Sequence, residues 1–287
     1  MHAGFEAYYE PSTWGNEGLM RENARQAFLL SIKQVETKVK MGPLEFEETF
    51  EEQKVLGLGM LDYYFLWAPK NDKFKPLRVE VEFEVPIPGL FDTVYQGRID
   101  MIAEDEYGYW IVDHKTAAQF GATDWLRLDD QCSSYAWAAK QQLGLDIRGV
   151  LYNEVRKKVP RKPNVLRNGT LSVAKNQDTT YETYLATIKE LGYKPSAYTG
   201  ILEYLQDAPK QFVRRTKVQY GKETLPLVEK RIRAESIEML NDPAIYPTPS
   251  RFNCAGCSFY EPCLALHEGR DEEIILDALF EKRKPSA

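Results

Sequence analysis

No window of this 287-residue chain approaches the ~18 uninterrupted apolar residues of a membrane-spanning helix, so no span is expected. The opening MHAGFEAYYEPSTWG lacks a basic segment followed by an apolar core. No secretory signal is visible, and a cytoplasmic location follows by default. No G-x-x-x-x-G-K-[ST] loop occurs, so the chain carries no phosphate-cradling motor motif of that kind. Repeats and low-complexity tracts are absent too. Cysteine is scarce, at 4 residues, with none before Cys132. Positive charge is also lacking: 37 basic against 43 acidic residues leave a net −6. That argues against a general polyanion binder but leaves room for a local basic groove.

What is present suits a soluble globular protein, with 43% apolar and 28% charged residues. Acid gathers in EFEETFEEQ (Glu45–Gln53), base in VRKKVPRK (Val155–Lys162) and RRTK (Arg214–Lys217). Such runs can equally be plain solvated surface. Residues 17–41 read as an amphipathic helix, and 44–67 as a second, acidic one with an aromatic stripe. LRVEVEFEVPI (Leu77–Ile87) alternates apolar and acidic, the pattern of a half-buried strand. After a turn at GLFDT, VYQGRIDMIAED and YGYWIVDHKTA form a hairpin across EDEYG, with Gly108 helping the turn.

Thr123–Gly144 reads as one helix, capped by Thr123 or Asp124 and stopped at Gly144. DIRGVLYNEVRK is a fourth strand, TTYETYLATIKELG a helix, QFVRRTKVQY an extended segment and KETLPLVEKRIRAESIEMLND a long helix. A proline-rich loop, PAIYPTPSRF, precedes the cysteines. The order mixes hairpin pairing with a helix-crossed strand. The expectation is an α/β fold with a mixed central sheet flanked by helices. We expect one domain over 1–287, with its core in 1–155, a helical, basic region over 156–242 and the cysteine segment at 243–268.

The charges of the hairpin are the informative feature. Asp100 interrupts one apolar strand, and Asp113, His114 and Lys115 follow another at once. Side chains alternate faces along a strand, so Asp113 and Lys115 point the same way, and Asp100 on the partner strand can join them. Two close carboxylates repel unless a cation sits between them, and a hard divalent ion prefers such oxygen ligands. The lysine can orient or deprotonate a water, or steady charge developing on a phosphate. An isolated D-x-K is more often a surface ion pair. Here it directly follows an apolar strand, has an aspartate thirteen residues upstream, and precedes a helix.

The set GRID…WIVDHKT, with Gln131 and Tyr135 in QCSSYAW, resembles the core of the PD-(D/E)xK nuclease superfamily, and in particular its RecB-type exonuclease branch. That branch reads G-x-x-D, a short hairpin, D-x-K-T, then Q-x-x-x-Y on the next helix. Positions i and i+4 share a helix face, so Gln131 and Tyr135 can reach one site. The resemblance implies a restriction-endonuclease-like core with helical additions, and hydrolysis of DNA ends with Mg²⁺ or Mn²⁺. His2, in MHAGFEAYYE, matches the branch's upstream histidine. By resemblance, His2, Asp100, Asp113 and the carbonyl of His114 would ligate the metal, and Lys115 would act on the water. Glu80 or Glu82 would support the site from behind. Family members usually carry a further helix before this histidine, so the resemblance implies a shortened start.

Cys254, Cys257 and Cys263 form C-x2-C-x5-C, and in a chain of this kind such crowding points to metal rather than disulfides. The spacing resembles the iron–sulfur exonucleases of the same branch, found in phages and CRISPR systems, which implies a [4Fe–4S] cluster. Its fourth cysteine would lie upstream of the histidine, outside this sequence. Cys132 reads instead as a buried core thiol. Zinc is the alternative, because His267 lies four residues after Cys263 and completes a Cys₃His set.

Arg156, Lys157, Lys158, Arg161, Arg214 and Arg215 are candidates for phosphate contacts, and Trp125, Trp137 and Tyr135 for base stacking, although helical aromatics are more often core. DNA is the expected partner, with a helicase, recombinase or CRISPR integrase beside it. Two other readings stay open: an inactive DNA-binding or assembly subunit, and an endonuclease on the same fold.

Overall fold

The computed structural model describes residues 1–40, 44–207, 211–241 and 248–281. It divides into two compact units, Met1–Arg233 and Ala234–Ala287.

The first unit is built on a five-stranded sheet in the order β1 (Lys75–Pro86), β2 (Val94–Asp105), β3 (Gly108–Ala117), β4 (Ile147–Arg156), β5 (Val213–Gln219). β1, β2 and β3 are antiparallel neighbours, β3 and β4 are parallel, and β5 returns antiparallel to β4. The expected mixed α/β sheet is therefore present. The hairpin turns as its sequence requires. Asp105 and Gly108 close a two-residue loop, Gly108 takes φ +125, and Asp105 Oδ1 accepts the Tyr107 N–H at 2.8 Å.

Helices cover both faces. Against one lie α1 (His2–Tyr8), α2 (Glu17–Lys40) and α3 (Leu44–Asn71). Their Phe5, Tyr8, Leu61 and Tyr64 pack on Met101, Val112 and Leu151 of the sheet. Against the other lies α4 (Asp130–Leu143), with the first half of α7 (Thr224–Asn241). Cys132, Ala136, Trp137, Val228 and Ile232 pack there on Ile102, Ile111 and Val150. Val112 and Ile111 thus enter opposite cores, as strand alternation demands. The same alternation sends Asp113 and Lys115 toward α4, and His114 toward α1. A smaller cluster joins α5 (Tyr181–Glu190) and α6 (Thr199–Asp207) through Tyr184, Ile188, Tyr198 and Leu202.

The segment Thr123–Gly144 differs from the single helix expected of it. Asp124–Leu128 is a separate 3₁₀ turn, and α4 begins only after Asp129. Asp129 takes an extended ψ of 113 and accepts the Cys132 N–H at 2.9 Å, so it is the true cap. The stop is as expected: Gly144 lies at φ +68 and its N–H reaches Lys140 O. The 199–207 helix has no counterpart in the sequence reading.

The second unit contains α8 (Arg251–Cys254), α9 (Tyr260–His267) and α10 (Glu272–Leu279), and Phe259 stacks on Phe280 at 4.6 Å. Half of the proline-rich loop, residues 243–247, lies outside the described residues, as do the side chains of Glu45, Phe46, Glu47 and Glu48 in the acidic run.

Candidate active site

The β2–β3 ladder ends at the pair Met101–Val112. At the next step a side chain replaces the backbone: Asp100 Oδ2 accepts the His114 N–H at 2.8 Å. Asp100 is thereby fixed at the point where the two strands part. Its Oδ2 also lies 3.4 Å from His2 Nδ1 on α1. Burial alone would push the Asp100 carboxyl up, but these donors outweigh it and hold the pKa below the ordinary value. The same hydrogen bond raises His2.

Glu80 completes a tight group. One ligand atom each from His2, Glu80 and Asp100 lie within 4.8 Å of one another, the one such trio among the described residues. Glu80 takes φ +45 in the middle of β1, a region side-chain-bearing residues rarely adopt. Strained backbone of this kind is tolerated chiefly at functional positions. Burial raises the Glu80 pKa, against the pull of Arg98 at 2.7 Å. Glu82 is exposed and takes no part. Nothing in the alternating run LRVEVEFEV distinguishes Glu80 from its neighbours, so its role was open in the sequence.

Asp113 stands beside this trio rather than within it. Its side chain is 3% exposed, Oδ1 pairs with Lys115 Nζ at 3.0 Å, and Oδ2 is buried with no hydrogen-bond partner. Burial pushes its pKa up to about 6, and the Asp100 charge adds to that push while Lys115 opposes it. A buried carboxylate oxygen without a donor is costly. Oxygen-rich, negative and open on one atom, the site fits a hard divalent cation, with His2, Glu80, Asp100 and Asp113 as the residues that would hold it.

From Lys115 a line of hydrogen bonds runs onto α4. Lys115 Nζ donates to Gln131 Oε1 at 3.0 Å, and Gln131 Nε2 donates to Tyr135 Oη at 2.9 Å. Gln131 therefore orients the ammonium, and Tyr135 orients Gln131. Burial opposes the charge on Lys115, yet Asp113 opposite keeps its pKa raised.

His114 faces the other way. It is buried, stacks on Phe5 at 4.8 Å and on Tyr9 at 5.6 Å, and lies 2.9 Å from Asn153 Nδ2 through Nδ1. Asn153 Oδ1 accepts from Arg215 Nε at 3.1 Å, so its amide nitrogen is the end that donates to His114. Burial drops the His114 pKa to about 3, and the ring is neutral with its proton on Nε2. α1, which carries His2, is thus seated on β3 through the His114 ring.

The basic candidates separate. Arg215 is an interior residue: it pairs with Asp72 at 2.5 Å and donates to Tyr9, Tyr64 and the Asn71 carbonyl. Arg214 grips Glu154 through two bonds of 2.8 and 2.9 Å, donates to Gly121 O at 2.9 Å and covers the Phe120 ring. Neither placement suits the phosphate contact expected of them, because their donors are committed inside the fold. Arg156 is half-buried over Phe212, and Lys158 is exposed but paired with Asp178. Lys157 and Arg161 are exposed, on the segment that leaves β4 where Lys157 N–H donates to Ala117 O at 2.8 Å. Trp137 is 1% exposed and donates to Glu229, which removes it as a stacking surface.

In the second unit, Cys254, Cys257, Cys263 and His267 line one cavity of about 550 Å³. A tetrahedral zinc would bring its ligand atoms within about 4 Å of each other. No three of these four residues have ligand atoms within 4.8 Å. Cys132 is fully buried in the core under α4, as a core thiol should be.

The sequence model of the PD-(D/E)XK nuclease superfamily matches residues 1–264. The chain belongs to that superfamily. Asp113, His114 and Lys115 have the D-x-K spacing in the superfamily's name, and members usually use divalent metals. No curated protein matches the chain.

Proposed function

We propose that this nuclease is a metal-dependent DNA exonuclease of the RecB-type branch, hydrolysing phosphodiester bonds at DNA ends. The observation that supports it most is the line Asp113–Lys115–Gln131–Tyr135 set beside His2, Glu80 and Asp100. Mg²⁺ or Mn²⁺ bound at these acids supplies charge for the phosphate and a water of lowered pKa. The protein's own groups do the rest. Asp100 and Asp113, with His2 and Glu80, would hold the cation. Lys115 places its ammonium beside the attacking water and the developing charge, and Gln131 and Tyr135 keep it there. Neutral His114 fixes α1 and with it His2.

We read the two units as one nuclease domain, since the superfamily match crosses the boundary between them. The C-x2-C-x5-C spacing of the residues lining this cavity supports a [4Fe–4S] cluster, with a single zinc on Cys254, Cys257, Cys263 and His267 as the alternative. Three cysteines leave one coordination position to a further ligand. Brown colour and stoichiometric iron after anaerobic purification test this; a colourless protein with one zinc sinks it. The setting that fits is processing of ends in phage or prokaryotic recombination, repair or CRISPR-linked pathways, with a partner to open duplex.

End-labelled linear DNA and covalently closed circular DNA, each with Mg²⁺, Mn²⁺ or EDTA, test the main reading. Linear DNA should be degraded only with metal, and the circle should survive. Asp113→Ala and Lys115→Ala should each lower the rate by at least about 10²-fold. Full activity in either variant refutes the site. DNA binding without cleavage would mark an inactive subunit, and cutting of the circle an endonuclease.

A further inference from the structure

The segment between the strand of Lys115 and the helix of Gln131 is held at both ends and bare in its middle. At its start, Arg214 is clamped by Glu154 and in turn holds Gly121 O and the Phe120 ring. Further on, Leu126 packs into the core under α4, and its carbonyl accepts from Tyr152 Oη at 3.2 Å. At its end, Asp129 caps α4. Between these anchors, Trp125 and Leu128 are each 73% exposed. The other four of the chain's five tryptophans are buried or half-buried.

Exposure of a large indole on a fixed segment asks for a ligand. Both residues lie in the 3₁₀ turn Asp124–Leu128, at positions i and i+3. Side chains with that spacing eclipse in a 3₁₀ turn, so the indole and the leucine stand on one edge. Exposed Arg127 sits between them in sequence. The edge is close to the chemistry: Asp129, four residues past Trp125, is near enough for its charge to raise the Asp113 carboxyl. At about 2 Å per residue, the indole begins roughly 8 Å from that cap.

We propose that Trp125, backed by Leu128, is a stacking platform for an unpaired nucleobase of the strand being hydrolysed, with Arg127 beside it for the adjoining phosphate. The assignment rests on the DNA-hydrolysing reading of the site. A nucleobase is the occupant that combines a flat apolar face with an attached anion. The clamps hold the backbone that carries the exposed aromatic, and a platform held in place loses little freedom on binding. Arg214, which sequence reading set against phosphate, acts here as a positioning residue for the platform.

The test is a coupling experiment on the full chain. Affinity for a fluorescein-labelled single-stranded oligonucleotide is read by anisotropy in the Asp113→Ala background, which prevents cutting. Added Trp125→Ala should weaken binding by roughly 5- to 100-fold, and Trp125→Phe should recover most of it. The loss should vanish when an abasic nucleotide replaces the base at one position near the end, and persist at others. In the active protein, Trp125→Ala should raise KM with kcat little changed. Equal affinity of the Trp125→Ala variant, or a loss indifferent to every abasic position, overturns the platform. Undiminished cleavage by Asp113→Ala or Lys115→Ala overturns the underlying reading instead, so the two failures are told apart.

Discussion

Asp113 is held in a condition that either a proton or a cation relieves. It is buried, one oxygen lacks a donor, and its carboxyl keeps a proton up to about pH 6. In an unfolded chain it would lose that proton near pH 4. Between those values the native state binds more protons than the unfolded state, so this group makes metal-free stability fall as pH rises through the window. Asp113→Asn removes the effect. In EDTA at pH 7 the variant should be more stable than the parent by of order 1–2 kcal/mol, after the lost Lys115 pair is counted. That advantage should shrink from about pH 6 to about pH 4. Urea melts across pH, with and without Mg²⁺, check it. A variant less stable than the parent at pH 7 in EDTA would mean that Asp113 is a net structural asset. The role of Asp113 and Lys115 was legible because it needs only local spacing: i and i+2 on a strand, directly after an apolar run. Arg215 was not legible. Its partners Asn153, Tyr9 and Asp72 are 62, 206 and 143 positions away, and no local pattern separates an interior arginine from a surface one.

At the scale of elements, α1 matters most, being a seven-residue helix with no side-chain cap. A helix that short does not hold itself together. Its seat is the ring stack of Phe5 and Tyr9 on His114, with Asn153 and Arg215 behind. Asn153→Ala strips a partner from both His114 Nδ1 and Arg215 Nε, and should cost about 2–3 kcal/mol. It should also weaken Mn²⁺ affinity in calorimetry and speed amide exchange in residues 2–8, because His2 is delivered by this seat. A lower melting temperature with unchanged Mn²⁺ affinity would leave Asn153 a purely structural residue. The β4–β5 edge has its own critical point. A Cβ on Gly149 would meet the Val218 carbonyl and lie 2.9 Å from Gln219 Cα, both backbone. Gly149→Ala should therefore destabilise by about 3 kcal/mol or more; a chemical melt within 1 kcal/mol of the parent would contradict it. Strands and helices were legible where alternation or caps are strong, as in β1, the β2–β3 hairpin and Gly144. The break at Asp129 was not, because Thr123, Asp124 and Asp129 are all good caps and only the burial of Leu126 decides among them.

Taken whole, a chain of net charge −6 must meet a polyanion through a small part of its surface. The sequence offered six basic candidates, and packing divides them. Arg214 and Arg215 are consumed inside the fold, Arg156 is half-buried, and Lys158 is paired with Asp178. Lys157 and Arg161 remain exposed on a cleft of about 910 Å³ whose opposite wall carries Glu51 and Glu52. That cleft opens beside the end of β3, two residues past Lys115, since Lys157 bonds Ala117. Each phosphate contact removed should flatten the dependence of log affinity on log salt by about 0.7 for single strands and 0.9 for duplex. Lys157→Ala and Arg161→Ala should each do so, with little change in melting temperature. Arg215→Ala should leave the slope alone and lower the melting temperature instead, because it breaks a buried ion pair. Glu51→Gln should strengthen binding and relieve repulsion across the cleft. Anisotropy titrations between 50 and 300 mM salt, run beside thermal melts, separate these outcomes. Unchanged slopes for Lys157→Ala and Arg161→Ala would move the path of the strand to another face. A slope change in Arg215→Ala with an intact melt would return that residue to the surface role its sequence suggested.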